Sequence, residues 1–302
     1  MHDVTEIEGE FGQATGLGFK SIEGKRVTTL CVGGILDRVI RPETTGEILK
    51  AMTFLSSNGI PYRVIGGGSN LIIRDEGVRD WVIMLGKGFR YIKPLGNGLF
   101  KVGGSTPLIN LSRELSEGGF SGLEFAGGIP ATFGGAIRMN AGAHGSEISS
   151  VIDSVDVITP DSKLHTFPAK DLKWEYRKVN LPEGSIVLSA TISLKEGDRD
   201  KILAVRSRFL QIRKENQPIT IPSCGSVFKN PSGRGSAAKV IETCGLKGYS
   251  RGGALISKKH PNWIVNPYRK ATARDVLFLI DLCKKKAKSS LSVELETEVS
   301  IW

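Results

Sequence analysis

The chain is 302 residues long, 40% hydrophobic, with a formal net charge of +10. That length suggests two or three domains, with enough apolar content for packed cores. No stretch approaches the roughly 18 apolar residues of a membrane span, and the acidic opening MHDVTEIEGE lacks the apolar core of a signal peptide.

In chain order, residues up to about Gly24 are weakly patterned and read as an irregular lead. Asp37–Arg41 reads as a strand. Thr44–Ser57, with Ile48, Ala51, Met52 and Leu55 at helical spacing, reads as a helix closed by Asn58-Gly59. The strand Tyr62–Ile65 enters Gly66, Gly67, Gly68, Ser69 and Asn70, and Leu71, Ile72 and Ile73 read as another strand. A dinucleotide fingerprint needs a helix after its glycines. This pattern is instead a strand–turn–strand phosphate nest, or simply a hairpin turn.

Short strands follow at Trp81–Leu85, Phe89–Ile92 and Leu99–Val102, then a helix at Thr106–Glu117 ended by Gly118-Gly119. The run Gly127–Gly145, GGIPATFGGAIRMNAGAHG, is more than half Gly and Ala. It lacks core-filling side chains, and its glycines let another group approach the backbone. Pro130 suits a first helical turn, after which free amides would attract an anion. The run reads as a backbone cradle for a large, partly anionic ligand, or as a Gly-rich surface loop.

Val151–Ile158 and Leu164–Phe167 form a predicted hairpin about Pro160-Asp161. A helical turn is expected at Asp171–Trp174, a strand at Ile186–Leu194 and a basic amphipathic helix at Asp198–Glu215. Gln217–Ser223, with Pro218 and Pro222, reads as a linker and domain boundary. Beyond it come a helix at Ala237–Cys244, strands near Ala254–Ile256 and Trp263–Val265, a helix at Ala271–Lys288 and a final strand Val293–Ile301.

Cys31, Cys224, Cys244 and Cys283 are widely spaced and read as free thiols in a reducing cytoplasm. His2, His144, His165 and His260 have no metal-ligand spacing, so no metal is expected. Lys and Arg are spread along the chain without an aromatic-rich basic motif, which disfavours nucleic acid. Lys284, Lys285, Lys286 and Lys288 end a helix, where cations suit the dipole. Small anionic ligands in a positive cleft account better for the charge.

YRVIGGGSNLIIRDEG, GLEFAGGIPATFGGAIRMNAGAHG, PSCGSVFKNP and GLKGYSRGGALISKKHPNWIVN together resemble the UDP-N-acetylenolpyruvoylglucosamine reductase family, in the family's order, from about Thr28 to Trp302. The resemblance implies an α+β protein: a FAD-binding module of two α+β subdomains of the vanillyl-alcohol oxidase (PCMH) type over residues 1–216, divided into about 25–80 and 81–216. A smaller α+β substrate-binding domain over 217–302 follows. It implies FAD as cofactor, NADPH as hydride donor and a sugar-nucleotide substrate, in a cytoplasmic monomer that neither enters a membrane nor binds nucleic acid. Cofactor contacts are expected from Gly66, Gly67, Gly68, Ser69, Asn70, Gly128, Ile129, Pro130, Thr132, Gly134, Gly135, Asn140, Ala141 and Gly142.

Taken from the residues alone, Tyr176 and Arg177 in WEYRKV read as a core tyrosine and a surface cation. By resemblance, Arg177 is the catalytic arginine and Tyr176 a substrate contact. An arginine keeps its charge and pairs with a carboxylate as negative charge builds during hydride addition. Ser226 follows Gly225 in SCGSVFKNP and alone is a turn serine; by resemblance it is the proton donor to substrate carbon, with Lys229 and Asn230 holding substrate. Cys224 stands where a small apolar residue is expected. Glu294, Glu296 and Glu298 share one face of the last strand, where a solvated face is the plain explanation. The family pattern L-x-x-E-V, here LETEV, selects Glu298. Arg213 resembles an arginine facing the flavin but reads equally as a solvated helix cation; Lys247, with Lys258 and Lys259 behind it, is a candidate for the substrate diphosphate. The short interval between Arg177 and Ile186 leaves no room for a tyrosine-lid insertion and resembles the shorter subclass.

Two rivals stand beside this reading. One is a flavin oxidase or dehydrogenase with the same type of FAD domain and another substrate. The other is a basic nucleotide-binding protein without turnover.

Overall fold

A computed structural model describes residues 4–302, with side chains from residue 6 onward. The chain divides into two compact units that interleave along the sequence. The first takes the chain up to Lys20, Arg38–Gly67 and Asp80–Leu210; the second takes Ser21–Asp37, Gly68–Arg79 and Gln211–Trp302.

The lead is helical, unlike its sequence reading: α1 covers Val4–Thr15. Phe11 is fully buried and Thr15 nearly so, and two anchors four residues apart are too few to register as a stripe. The Phe11 ring lies 4.2 Å from that of Trp81. Helix α2, Thr45–Ser57, starts at Thr44, whose hydroxyl accepts from the Glu47 amide, and buries Ile48, Ala51, Met52 and Leu55. After α2, Tyr62–Val64 pairs in parallel with residues 81–83.

The larger part of this unit is a five-stranded antiparallel sheet in the order Leu164–Pro168, Ile152–Ile158, Ile186–Ser193, Leu99–Gly103, Ile92–Gly96. Helices α3, Leu108–Glu117, and α4, Phe133–Arg138, join its core through Leu108, Leu111, Phe133 and Ile137. Helix α5, Arg199–Asn216, is basic and buries Ile202 fully, with Phe209 partly buried against the core.

Asp156 binds this sheet together. Its carboxylate accepts from Thr166 at 2.9 Å and Ser189 at 2.5 Å and pairs with Lys101 at 2.5 Å, so one side chain links four strands. Burial opposes its ionisation, but the hydrogen bonds from Lys101, Ser189 and Thr166 outweigh that and hold the carboxyl below its ordinary range.

The second unit has its own core, from Leu30 and Val32 through Ile72 to Val227, Phe228, Leu279 and Ile280. Helix α6, Ala237–Thr243, is capped by Ser236. Helix α7, Ala273–Leu291, begins with a reciprocal cap between Thr272 and Asp275 and ends at Ser292 with φ of 53°. Its first amides, Ala273 and Arg274, donate to the Asp75 carboxylate at 2.8 and 2.9 Å. Ser300–Ile301 pairs in parallel with Leu71–Ile72, and the Thr29 hydroxyl donates to the Ser223 carbonyl at 2.6 Å. These bonds make the short segments 21–37 and 68–79 part of a unit that a single cut near residue 216 would exclude.

The final strand is regular only at Ser300–Ile301. Upstream, Val293, Leu295 and Val299 keep the expected inward alternation, but the segment is held by single bonds, Lys229 N to Glu296 O at 2.9 Å and Glu298 N to Val227 O at 2.8 Å.

Asp156→Asn should lower stability at pH 7 by about 1–3 kcal/mol, since it weakens hydrogen bonds to a charged acceptor. A carboxyl with a lowered folded pKa stabilises above its unfolded value of about 4 and loses that contribution as pH falls. Urea unfolding should therefore show the gap between variant and wild type closing below about pH 4.

Candidate active site

In the first unit the two Gly-rich stretches meet. A Cβ on Gly66 would lie 2.5 Å from the Thr132 hydroxyl oxygen, and one on Gly67 would lie 3.2 Å from the Thr132 amide and 3.4 Å from the Pro130 carbonyl. Gly67 thus meets backbone, and Gly66 the hydroxyl that caps the next helix. Beside it lies a cavity of about 230 Å³ lined by Gly67, Pro130, Ala131 and Thr132, with Arg90 and Ser105 across from them. Arg90 gives no sequence signal, being an isolated cation after a short loop. It is exposed, and its side chain has no ion-pair or hydrogen-bond partner among the described residues.

Most amides after Pro130 are engaged, in contrast to the sequence reading, and only that of Thr132 has no acceptor among the described residues. Ala131 N donates to Ile129 O, Phe133 N to Thr106 O and Gly134 N to Gly104 O, all within 2.9 Å. Thr132 caps the helix by accepting from Gly135 N at 3.4 Å. The amides of Gly66 and Gly67, in contrast, meet no acceptor among the described residues. These two are exposed to solvent and to any bound anion.

The other glycines divide by cause. A Cβ on Gly68, with φ of +62°, would strike the Val27 carbonyl at 1.8 Å, so the fold itself requires that glycine. Gly134 is confined by Val187 O and Gly104 O at 3.1 and 3.2 Å, and Gly142 by Ser146 O at 2.7 Å. Gly135 meets only the Thr132 hydroxyl, at 3.2 Å. Gly128 closes a 3₁₀ turn over Glu124–Gly128, and Ile129 follows with its amide on Ala126 O. Ala141 joins the helix end to the next turn through Ala136 O and the Ile148 amide.

Asn140 differs from its expected role. It is buried, with φ of 38°. Its amide nitrogen donates to Glu147 Oε2 at 2.8 Å and to the Glu175 carbonyl at 3.1 Å, and its oxygen accepts from Ser149 N at 3.3 Å. Both donors serve the chain, so the side chain has no proton left for a cofactor.

Tyr176 and Arg177 form the two-residue tip of a hairpin, Trp174–Glu175 paired with Lys178–Val179, where a helical turn was expected. The 3₁₀ turn lies earlier, at Ala169–Asp171. Arg177 has φ of 60°, a left-handed conformation that costs a side-chain-bearing residue about 1–2 kcal/mol. Its guanidinium stacks 4.8 Å from the Tyr176 ring, and the ring is half exposed.

In the second unit the backbone segments that carry Ser226 and Glu298 are joined. Val227 N donates to Asn262 O at 2.8 Å and Phe228 N to the Asn262 side chain at 2.9 Å, which pins the chain next to Ser226. From the other side Glu298 N donates to Val227 O at 2.8 Å. The Asn70 side chain donates to the Glu298 carbonyl at 3.1 Å, and Ser300 N donates to Asn70 O at 3.1 Å. Asn70, with half-buried Ser69 before it, thus fastens the acidic segment. Glu294 pairs with Lys288 and Glu296 with Lys229, both exposed, whereas Glu298 is half-buried. Burial therefore separates the three carboxylates that periodicity could not. Cys224 is buried and its thiol is pushed up to about 12, as a small core residue would be.

The expected substrate cations are engaged within the chain. Lys229 lies 2.5 Å from Glu296 and Lys247 2.9 Å from Glu242, while Lys259 donates to the Lys214 carbonyl. Asn230 accepts from Ala237 N at 3.0 Å, at the start of α6. Arg213 is half-buried, its Nε has no hydrogen-bond partner among the described residues, and burial lowers its pKa. Among the described residues no His, Cys, Asp or Glu cluster could hold a metal.

An FAD binding domain model matches residues 36–168, which contain the Gly-rich contact and its cavity. The chain is accordingly an α+β flavoprotein with FAD as its cofactor. A second model, UDP-N-acetylenolpyruvoylglucosamine reductase, C-terminal domain, matches residues 217–302. The reductase of that name from Anoxybacillus flavithermus is 41% identical over 91% of this chain and 90% of its own length. That from Clostridium beijerinckii is 39% identical over 90% and 88%. The crystal structure of the reductase from Thermus caldophilus, 37% identical, matches 95% of this chain and 99% of its own with a TM-score of 0.83. The chain belongs to the UDP-N-acetylenolpyruvoylglucosamine reductase family.

Gly135 offers a clean probe, since within the protein a side chain there meets only the Thr132 hydroxyl. Gly135→Val should give folded protein that purifies with little flavin, read from absorbance near 450 nm, the cofactor's own band. Full flavin content would remove Gly135 from the pocket.

Proposed function

We propose that the chain reduces the enolpyruvyl group of UDP-N-acetylglucosamine enolpyruvate to UDP-N-acetylmuramate at the expense of NADPH, a step of peptidoglycan synthesis. The observation that carries this reading is the backbone bond from Glu298 N to Val227 O, the residue after Ser226, which ties the SCGSVFKNP motif to the LETEV segment. A flavin oxidase acting on another substrate does not require that pairing, and a binding protein without turnover requires neither residue.

The protein fits FAD. Gly66 and Gly67 offer unpaired amides beside the cavity. Gly67, Pro130, Thr132 and Gly135 would hold the cofactor. When bound, FAD supplies hydride transfer from NADPH to substrate.

The overall change adds one hydride and one proton across the carbon–carbon double bond, with NADPH oxidised to NADP⁺. Arg177 meets the carboxylate of the enolpyruvyl group with a permanent charge. Negative charge builds on that group as hydride arrives, so the cation stabilises the transition state more than the ground state. The left-handed backbone at Arg177 supports this role, since strain at an exposed turn is tolerated where the side chain's aim matters. Ser226 delivers the proton to carbon, because a hydroxyl remains protonated at neutral pH. Glu298 stands by the same negative charge and acts in its protonated form, as a hydrogen-bond donor. Tyr176, Lys229 and Lys247 bind substrate, the two lysines exchanging their glutamate partners for its anionic groups. The protein is a cytoplasmic monomer of the shorter subclass. Residues 180–185 are all that join Lys178–Val179 to the strand at Ile186, all four cysteines are free thiols, and among the described residues no helix is long and apolar enough to cross a membrane.

The two halves of the reaction separate Ser226 from the rest. Ser226→Ala should leave flavin reduction by NADPH near normal and slow flavin reoxidation by substrate roughly 100- to 10,000-fold. Ser226→Cys, which keeps a donor of similar reach, should recover part of that rate. Stopped-flow absorbance decides it: equal slowing of both halves would show that Ser226 shapes the pocket and is not the acid. Glu298→Gln keeps a donor and should retain more activity than Glu298→Ala. Equal loss in the two, or greater sensitivity at Glu296, would remove Glu298 from its role.

A further inference from the structure

The hairpin that presents Arg177 has only two residue pairs, Trp174 with Val179 and Glu175 with Lys178. A ribbon of that length does not hold its own shape in water. Its tip residue also lies in a left-handed conformation that the chain would leave if it were free to do so. Something outside the hairpin must fix it.

Two donors at the end of α4 do so. Asn140 donates to the Glu175 carbonyl at 3.1 Å, immediately before the tip. Arg138 Nη1 donates to the Leu181 and Pro182 carbonyls at 3.0 and 3.2 Å, just past the returning strand. Asn140 is itself immobilised, being 1% exposed and bonded on its remaining atoms to Glu147 and Ser149. The other end of α4 is Thr132, in the wall of the flavin cavity, and the helix between is six residues long.

We propose that Asn140 and Arg138 are positioning residues for Arg177, so that one short helix both closes the cofactor cavity and aims the catalytic cation. Phe133 and Ile137 of this helix are fully buried and anchor it between the two ends. This rests on the reading of Arg177 as the residue that meets the substrate carboxylate.

The competing explanation is that Asn140 serves only the loop through Glu147, which borders the cofactor stretch. The double variant Asn140→Asp with Glu147→Gln separates the two. The new carboxylate accepts from the Ser149 amide and from the new carboxamide at 147, which restores the loop, but it offers no donor to the Glu175 carbonyl. Thermal midpoint and flavin content should then match wild type. The ratio of the substrate half-reaction rate to the NADPH half-reaction rate should fall roughly 100-fold, the scale of a misplacement of about 1 Å. A ratio equal to wild type overturns the proposal.

Arg138→Met removes the second clamp without touching the loop through Glu147, and keeps the test alive if the double variant folds poorly. It should lower the same ratio about 10-fold, a fraction of the full misplacement effect; no change overturns the proposal. Arg177→Lys is the control. If it leaves reoxidation unaltered, the assignment of Arg177 itself fails. If it slows reoxidation while the other variants do not, only the positioning role fails.

Discussion

The close approach of Gly66 and Gly67 to Thr132 and Pro130 is the constraint on which the first unit's cavity depends. At 2.5 Å from a hypothetical Cβ on Gly66, the Thr132 hydroxyl leaves no room for any side chain. Two loops far apart in sequence can meet at that distance only if one is stripped to backbone. The cavity beside this contact is lined by Gly67, whose amide is unpaired, and by the Arg90 cation. Such a pocket recognises an anion by amide direction more than by side-chain charge.

A second pattern runs through both units. Where regular ladders stop, asparagine side chains supply the missing bonds. Asn70 holds Glu298, Asn140 holds Glu175, and Asn262 holds Phe228 from both sides. Asn266, fully buried, donates to Leu30 O and Cys31 O and accepts from Ala271 N. A carboxamide can donate and accept at once, so it substitutes for a strand neighbour in irregular backbone. Three of the residues held in this way are Glu298 itself, Glu175, two positions before Arg177, and Phe228, two positions after Ser226. Irregular backbone here is fixed by amide-to-carbonyl bonds and not by sheet geometry.

The sequence displayed the features that repeat or punctuate. Helix α2 was legible from its spacing, the α+β class from the alternation of elements, and the active-site motifs from resemblance. What it hid were features decided by distant partners. Helix α1 depends on Phe11 meeting Trp81, some seventy residues on, and offers little local periodicity. A helical turn was expected at Asp171–Trp174, but the turn ends at Asp171 and Lys178–Val179 folds back on Trp174–Glu175. Free amides after Pro130 were a fair expectation for a helix start, yet Gly104 and Thr106 supply acceptors that no local reading could anticipate. Asn140, in a Gly-rich run beside a cofactor motif, invited a cofactor role; only coordinates reveal that both its protons already have acceptors. Glu298 was chosen from three glutamates by motif alone, and its burial supplies an independent physical reason.

The second unit is assembled from three separated pieces, and this bears on how a growing chain acquires it. The bond from Asn70 to the Glu298 carbonyl spans 228 residues, and Leu71–Ile72 finds its parallel partner only at Ser300–Ile301. During synthesis the segment 68–79 emerges early and waits for nearly the whole remaining polypeptide before its edge is paired. Closing so long a loop is a slow step, and an unpaired apolar strand is open to wrong partners meanwhile. The charged residues Arg74, Asp75 and Glu76 directly after that strand are well placed to keep it soluble during the delay.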